Sequence, residues 1–358
     1  MTELTVQVPA DTLPGDRVFV AADADRLGSW RADGIPLHRL HDGRYATRLT
    51  VDADERLHYL VTRGTWRTAE ANSRGGEMAP RLLTGTSRHV EVRVAAWGRD
   101  SVRYHTEFPS RYLHNTRTVT VYLPPGYGSD SRRYPVFYMQ DGQNLFDSST
   151  AFAGNPWRAD ETAERLIRSG DIDPLIIVGI ANTPQRLQEY GPTGRRSRGT
   201  SRSYRYGKFL VDEVKPFIDR TYRTMPDRDH TAIGGSSLGA LISLFLCKWY
   251  PDVFGLCAAV SPSLWWDREL LLRKTTNDPS WTNRTRFWLD MGDQEGTTPA
   301  GKREQVRRAR RFAELLVAAG REEGRDFRYL EVKDGHHNEH AWAARFDQVL
   351  KLLFRSSP

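Results

Sequence analysis

Two hydrophobic rhythms divide the chain. Up to about residue 97, apolar and polar positions alternate in short runs, "LTVQVP", "RVFVAA", "RYATRLTV", "RLHYLVTRG" and "RHVEVRVAAW", separated by Gly, Asp and Pro turns. Successive side chains of a strand point to opposite faces, so this alternation predicts strands with one buried face and, at this spacing, a small all-β sandwich. From about Asp100 the strand-like runs are predominantly apolar: "TVTVYLPPGY", "YPVFYMQDGQ", "PLIIVGIAN", "TAIGG", "LCAAVSP", "RFWLDMG" and "FRYLEVKD". Helical periodicity lies between most of them, in "YGKFLVDEVKPFIDRTY", "SLGALISLFLCKWY", "EQVRRARRFAELLVAAG" and "EHAWAARFDQVLKLLF". Apolar strands alternating with helices predict a mainly parallel sheet covered by helices on both faces. The expected domains are therefore residues 1–98 and 99–358. The polar stretch "TGRRSRGTSRSYR", Thr193 to Arg205, reads as a surface loop or, alternatively, a cationic lid over an anionic substrate.

Bulk properties narrow the class. A chain of 358 residues is long enough for two domains, and no run of 18 apolar residues appears. The opening "MTELTVQVPADTLPGD" has neither a basic nor an apolar signal region, so the expectation is a cytoplasmic protein with no membrane partner. Two cysteines, Cys247 and Cys257, lie in apolar stretches and are expected to be buried thiols. The net charge of +7 is spread along the chain without a recognisable nucleic-acid motif, which argues against a nucleic-acid partner.

The chemistry begins with Gly235-Ser236-Ser237-Leu238-Gly239, a G-x-S-x-G sequence between an apolar strand and a helix. A serine on such a tight turn needs small neighbours, and the following helix N-terminus favours developing negative charge at Ser237 Oγ. A serine hydroxyl is a weak nucleophile at neutral pH, so it requires a base, and the base an orienting acid. The order Ser, acid, His is available: "GDQEG" supplies Asp293 and Glu295, and "DGHHNEH" supplies His336, His337 and His340. The same stretch also fits the zinc pattern H-x-x-E-H through His336, Glu339 and His340. However, Asp334-Gly335 ends a strand just before it, which puts His336 in the loop or at the helix start, and no metal site is expected.

From Arg117 to Phe354 the chain resembles an esterase family of α/β-hydrolases that includes enterochelin esterases, feruloyl esterases, esterase D and the mycolyltransferases. The resemblance rests on "YMQDGQNLFD", "EYGPT", "VDEVKPFIDRTYRT", "AIGGSSLGAL", "YPDVFG", "SPSLWWD", "LDMGDQEG" and "HNEHAW". It implies an α/β-hydrolase fold and an acyl-enzyme mechanism without metal or organic cofactor. By position it makes Ser237 the nucleophile, His337 the base and Glu295 the acid, with Asp293 as the competing acid. It further implies oxyanion donors in the backbone N–H groups of Leu238 and Gln143, Gly142 letting the latter approach the substrate. Trp265 and Trp266 are candidates for the substrate pocket, and Arg186 either pairs with Glu189 or contacts substrate. Siderophore-type, feruloyl and acetyl-sugar esters all fit as substrates. Acyl transfer to an alcohol and a non-catalytic carbohydrate-binding role are the alternatives, and no signal for oligomeric state is present.

The first domain resembles a starch-binding-type carbohydrate-binding module, through "DRLGSW" and "LHYLVTRGTWRTAEANSRGGEMAPR". That resemblance makes Trp30 a candidate sugar-stacking residue. The position before Glu70, a second tryptophan in starch binders, is Ala69 here, which argues against starch binding, and Trp66 is expected to pack against the sandwich.

Overall fold

The computed structural model describes residues 2–9, 12, 15–24, 30–72, 78–98, 101–127, 131–148, 150–194 and 200–355. The chain divides into two compact units, Met1–Asp100 and Ser101–Pro358, two residues beyond the expected boundary.

The first unit is built from β1 (Thr2–Gln7), β2 (Val18–Ala22), β3 (Ile35–Arg39), β4 (Tyr45–Leu49), β5 (Arg56–Thr62), β6 (Glu70–Ala71), β7 (Arg81–Thr84), β8 (His89–Arg93) and β9 (Ala96–Trp97). Seven strands form one hydrogen-bonded succession, β7-β5-β2-β3-β4-β1-β8, and β6 pairs with β9. Two layers are thus joined through β3, which pairs with both β2 and β4. Leu4 and Val6 of β1, Leu57 and Val61 of β5 and Leu83 of β7 meet in one buried cluster, so the sheet folds over on itself around a common core. Strand β1 shows the alternation read from the sequence: Thr2, Leu4 and Val6 are buried and Gln7 is exposed. Much of the "DRLGSW" turn, residues 25–29, lies outside the described residues, as do residues 195–199 of the arginine-rich stretch.

The second unit holds an eight-stranded sheet of β10 (Val102–Ser110), β11 (Asn115–Tyr122), β12 (Val136–Gln140), β13 (Ile176–Ile180), β14 (Thr231–Ser236), β15 (Leu256–Val260), β16 (Arg286–Gly292) and β17 (Phe327–Val332). Their order is β10-β11-β13-β12-β14-β15-β16-β17, antiparallel in the first two pairings and parallel thereafter. The helices are α1 (Ala159–Ser169), α2 (Arg186–Tyr190), α3 (Ser203–Lys208), α4 (Lys215–Thr221), α5 (Leu238–Trp249), α6 (Trp266–Asn277), α7 (Pro299–Ala318), α8 (Glu339–Ala343) and α9 (Phe346–Leu353).

Parallel strands buried on both sides need apolar residues at every position, and β12 shows why. Val136 and Tyr138 face a cluster completed by α5 and α7, whereas Phe137 and Met139 face a second cluster completed by α1 and α9. The expected long helix over 206–222 is divided, since Phe209–Val214 forms a π-helical segment between α3 and α4. Strand β10 is an element that the sequence reading did not identify. It carries a register shift between His105 and Phe108, with Glu107 at φ 53°, and this breaks the alternation that marks a strand.

Candidate active site

Ser237 stands between β14 and α5 with φ 57° and ψ −120°, a conformation that costs a non-glycine residue about 1–3 kcal/mol and persists only where its surroundings hold it. Its N–H donates to Val260 O at 3.1 Å, and its carbonyl accepts from the N–H groups of Leu241 and Ser263, each at 3.1 Å. The two glycines of the motif serve packing. A Cβ on Gly235 would lie 2.9 Å from Gln140 Cβ on the adjacent strand, and one on Gly239 would meet the same atom at the same distance.

His337 comes from the loop after β17. Its Nε2 lies 2.9 Å from Ser237 Oγ and its Nδ1 2.6 Å from Glu295 Oε2. The imidazole remains 44% exposed, while Glu295 is 3% exposed. The edge-to-face contact of Trp342 with the imidazole, 4.9 Å between centroids, fixes its plane. His336 precedes Asn338, whose side chain caps α8, so His336 and His340 do not share one helix face.

Asp293, the competing acid, points elsewhere: its carboxylate accepts from Gln294 Nε2 at 3.0 Å. Glu295 is held instead by a buried network. Its Oε1 accepts from Ser261 Oγ at 2.5 Å and from the Gly292 N–H at 3.0 Å. Ser261 Oγ in turn accepts from Trp342 Nε1 and from Arg345 Nη2, and Arg345 also pairs with the fully buried Asp290 at 2.8 Å. Ser261, Asp290 and Arg345 were not singled out from the sequence. Arg345 reads there as one more polar position on a helix, and Asp290 as a strand residue.

The Leu238 N–H opens α5, and the Gln143 N–H lies in the 3₁₀ turn Gly142–Asn144. Neither has an acceptor among the described residues, as oxyanion donors require. The reason for Gly142 differs from the expected one. A Cβ there would fall 2.3 Å from the carbonyl carbon of Gly179, so glycine lets the turn press against β13. Asp141, at φ 56°, braces the same turn by accepting from Arg186 Nε and Nη2 at 2.7 and 2.8 Å and from Asn182 Nδ2 at 2.7 Å. Arg186 therefore pairs neither with Glu189 nor, through these donors, with substrate. Glu189 is committed to the buried Arg117 at 2.9 Å.

A cavity of about 460 Å³ opens beside Ser237, lined among others by Ser263, Trp265, Met291, Gln294, Thr297, Gln305 and His337. Trp265 lines it. Trp266 does not: it is buried, packs against Gly191 and donates to Thr193 Oγ1 at 3.1 Å. Glu339 Oε1, at the start of α8, accepts from Asn144 Nδ2 at 3.2 Å, tying that helix to the Gly142–Asn144 turn. Burial and the nearby Asp141 carboxylate raise the Glu339 pKa above its ordinary value. Burial likewise pushes the Cys257 thiol well up; Cys247 and Cys257 are both buried and free. Among the described residues, no cluster of three His, Cys, Asp or Glu side chains could hold a metal ion, and no helix is long and apolar enough to cross a membrane.

In the first unit Trp30 and Trp66 lie side by side, 6.0 Å between ring centroids and tilted by 49°. Trp66 is 48% exposed, so it is not packed away in the sandwich, whereas Ala69 is buried. Glu70 is internal, accepting from the Val61 N–H and pairing with Arg81.

A parallel sheet with a strand-to-helix serine turn at its centre and a histidine on the loop after its last strand defines an α/β-hydrolase. Residues 110–353 match the family described as "Putative esterase", and the chain belongs to that family. It is 28% identical over 221 residues to an endo-1,4-beta-xylanase/feruloyl esterase of Xylanibacter ruminicola, a match covering 60% of this chain and 28% of that protein. It is 27% identical over 194 residues to the ferri-bacillibactin esterase BesA of Bacillus subtilis, covering 49% of this chain and 62% of the relative. The solved enterobactin esterase FES of Shigella flexneri superposes with a TM-score of 0.56 at 18% identity, covering 94% of this chain and 88% of that one, which is a likeness of fold.

Proposed function

We propose that the protein is a serine carboxylic-ester hydrolase working through an acyl-enzyme on Ser237. The observation that carries this is the continuous chain of contacts from Ser237 Oγ through the two nitrogens of His337 to Glu295 Oε2. In the first step His337 Nε2 takes the Ser237 proton as Oγ attacks the ester carbonyl carbon. The oxyanion that forms is held by the N–H groups of Leu238 and Gln143, donors of a kind worth about 10²- to 10³-fold each in turnover. Collapse breaks the bond to the alcohol, which leaves with the proton from His337. Water, deprotonated by the same nitrogen, then attacks the acyl carbon, and Ser237 recovers its proton. Glu295 keeps the Nδ1 proton in place and offsets the charge of the imidazolium. No metal or organic cofactor is needed for any of these steps.

Membership of the esterase family and the feruloyl and ferri-bacillibactin esterases among its relatives support ester hydrolysis. The reading is tested by labelling with a fluorophosphonate probe and by turnover of 4-nitrophenyl, feruloyl and catecholate esters. Label on Ser237 and loss of both label and turnover in Ser237→Ala are expected. Turnover that survives in Ser237→Ala sinks the proposal.

The paired Trp30 and Trp66 rings support a second role, for the first unit: binding a glycan by stacking. An indole offers a flat apolar face to a sugar ring, and the exposed Trp66 beside the partly buried Trp30 gives such a ring two surfaces to meet.

A further inference from the structure

Resting on the reading that Ser237 forms an acyl-enzyme, we infer that Ser263 is a further catalytic residue. Its hydroxyl donates to Ser237 Oγ itself and stabilises the charge that this oxygen carries as it attacks the ester and, later, as it leaves the acyl group.

Ser263 Oγ lies 3.3 Å from Ser237 Oγ. The distance alone does not say which oxygen donates, but the surroundings do. The Ser237 proton is directed at His337 Nε2, 2.9 Å away, so the hydrogen in the Ser263 contact comes from Ser263. Among the described residues, Ser237 Oγ is the one hydrogen-bond partner of the Ser263 hydroxyl. Ser263 borders the cavity beside Ser237 yet is only 3% exposed, so water competes little for that hydroxyl.

The backbone holds this donor in place. The Ser263 N–H donates to Ser237 O at 3.1 Å, and its carbonyl accepts from the Trp266 N–H at 3.1 Å. Two residues earlier Ser261, at φ 46°, grips Glu295 Oε1, and Pro262 between them has its φ fixed by its ring. The tripeptide Ser261-Pro262-Ser263 thereby sets one hydroxyl on the acid and another on the nucleophile. A donor fixed before the reaction costs no reorganisation when the charge appears.

The Leu238 and Gln143 N–H groups serve the carbonyl oxygen and leave Oγ to other partners. As His337 Nε2 takes the Ser237 proton, Oγ gains negative charge and the Oγ–C bond forms. Ser263 keeps its own proton and donates to Oγ throughout. In deacylation the C–Oγ bond breaks, its electron pair returns to Oγ, and His337 gives back the proton; Ser263 meets the same charge again. A separation of 3.3 Å is long for an O–H···O bond between neutral groups. It shortens as Oγ becomes anionic, because hydrogen bonds to ionised acceptors are shorter and about twice as strong as neutral ones. Catalytic contacts commonly tighten in this way between the free enzyme and the transition state. An interaction that strengthens in the transition state raises kcat rather than affinity.

The two half-reactions test this separately with 4-nitrophenyl acetate. Release of 4-nitrophenol with enzyme in excess reports acylation, and decay of the acetyl-enzyme followed by mass spectrometry reports deacylation. Rates are referred to the Ser237 that a fluorophosphonate titrates, so unfolded protein drops out. Ser263→Ala is expected to slow both half-reactions roughly tenfold, the worth of a hydrogen bond to a charged group. The steady-state KM should stay within about twofold, and the midpoint of the pH–rate profile should match that of the parent. Ser263→Thr keeps the hydroxyl and is expected to hold both rates within about threefold of the parent. A Ser263→Ala enzyme within about twofold of the parent overturns the inference. So does a loss confined to one half-reaction, a Ser263→Thr enzyme as slow as Ser263→Ala, or a shifted pH midpoint, which marks a displaced imidazole. Each of these outcomes leaves Ser237-dependent release of 4-nitrophenol, and with it the esterase reading, intact. Absence of Ser237-dependent release from the parent enzyme overturns both.

Discussion

Glu295 Oε2 lies 2.6 Å from His337 Nδ1, while the other oxygen of the same carboxylate is gripped by Ser261 Oγ and the Gly292 N–H. The carboxylate is therefore immobilised on one side and presented on the other, which keeps the imidazole in the tautomer that leaves Nε2 free to accept the Ser237 proton. Two residues away, Asp293 has no such fixation and is directed at Gln294.

Glu295→Gln is expected to lower kcat on 4-nitrophenyl acetate about 10³-fold or more, because an amide can donate to Nδ1 and force the wrong tautomer. Asp293→Asn should stay within about threefold of the parent enzyme, since it touches neither reacting atom. Steady-state kinetics on the two variants separates them.

Arg345 lies between the buried carboxylates of Asp290 and Glu295, at 2.8 and 3.7 Å. Arg345→Leu leaves the fully buried Asp290 without its counter-ion and is expected to reduce stability by about 3–5 kcal/mol. A urea unfolding curve shows this as a lower midpoint at unchanged slope.

Gly142→Ala places a methyl group 2.3 Å from the Gly179 carbonyl carbon and must displace the turn bearing the Gln143 N–H. Loss of alignment at one oxyanion donor predicts a fall in kcat of about 10²-fold with a smaller change in KM. Initial rates over a range of substrate concentration check the split.

The Glu339 carboxyl has a pKa raised above its ordinary value of 4.5, chiefly by burial. The folded protein thus holds this proton more tightly than the unfolded chain, so stability is lost as pH rises from the ordinary value through the raised one. Glu339→Gln keeps an acceptor for Asn144 Nδ2 and removes the titration. Thermal unfolding should show parent and variant closest at pH 4 and the variant gaining relative Tm toward pH 7; a difference independent of pH contradicts the assignment.

Trp30→Ala and Trp66→Ala are each expected to weaken retardation of the protein in gels containing soluble starch or xylan, by roughly tenfold in apparent affinity. Ester hydrolysis by the same variants, measured on a small soluble ester, supplies the reference. Equal retardation of parent and variants speaks against glycan stacking at this pair.

The sheet of the second unit was legible because fully buried parallel strands leave an unmistakable mark: β12, β13 and β15 are buried throughout and, apart from Gln140, apolar, and α5 is buried along Leu238–Cys247. Strand β10 was not, since a bulge and a left-handed Glu107 interrupt its pattern, and the join through β3 left no local signature. At the site, Ser237 and His337 were marked by short motifs whose chemistry depends on neighbours in sequence. The choice of acid was not, because Asp293 and Glu295 differ only in what surrounds them in space.

The sequence by itself determined the two-part organisation, the strand-to-helix serine turn and the set of residue types able to act on an ester, since each is written in local periodicity or in a motif of a few residues. Only the tertiary structure decided which carboxylate meets His337, that Arg186 braces Asp141 rather than Glu189, that Trp265 faces the cavity while Trp266 is buried, and that Gln305 reaches it from α7. Those outcomes depend on side chains that are far apart in the chain and are brought within a few ångströms by packing. No pattern within a single segment encodes them.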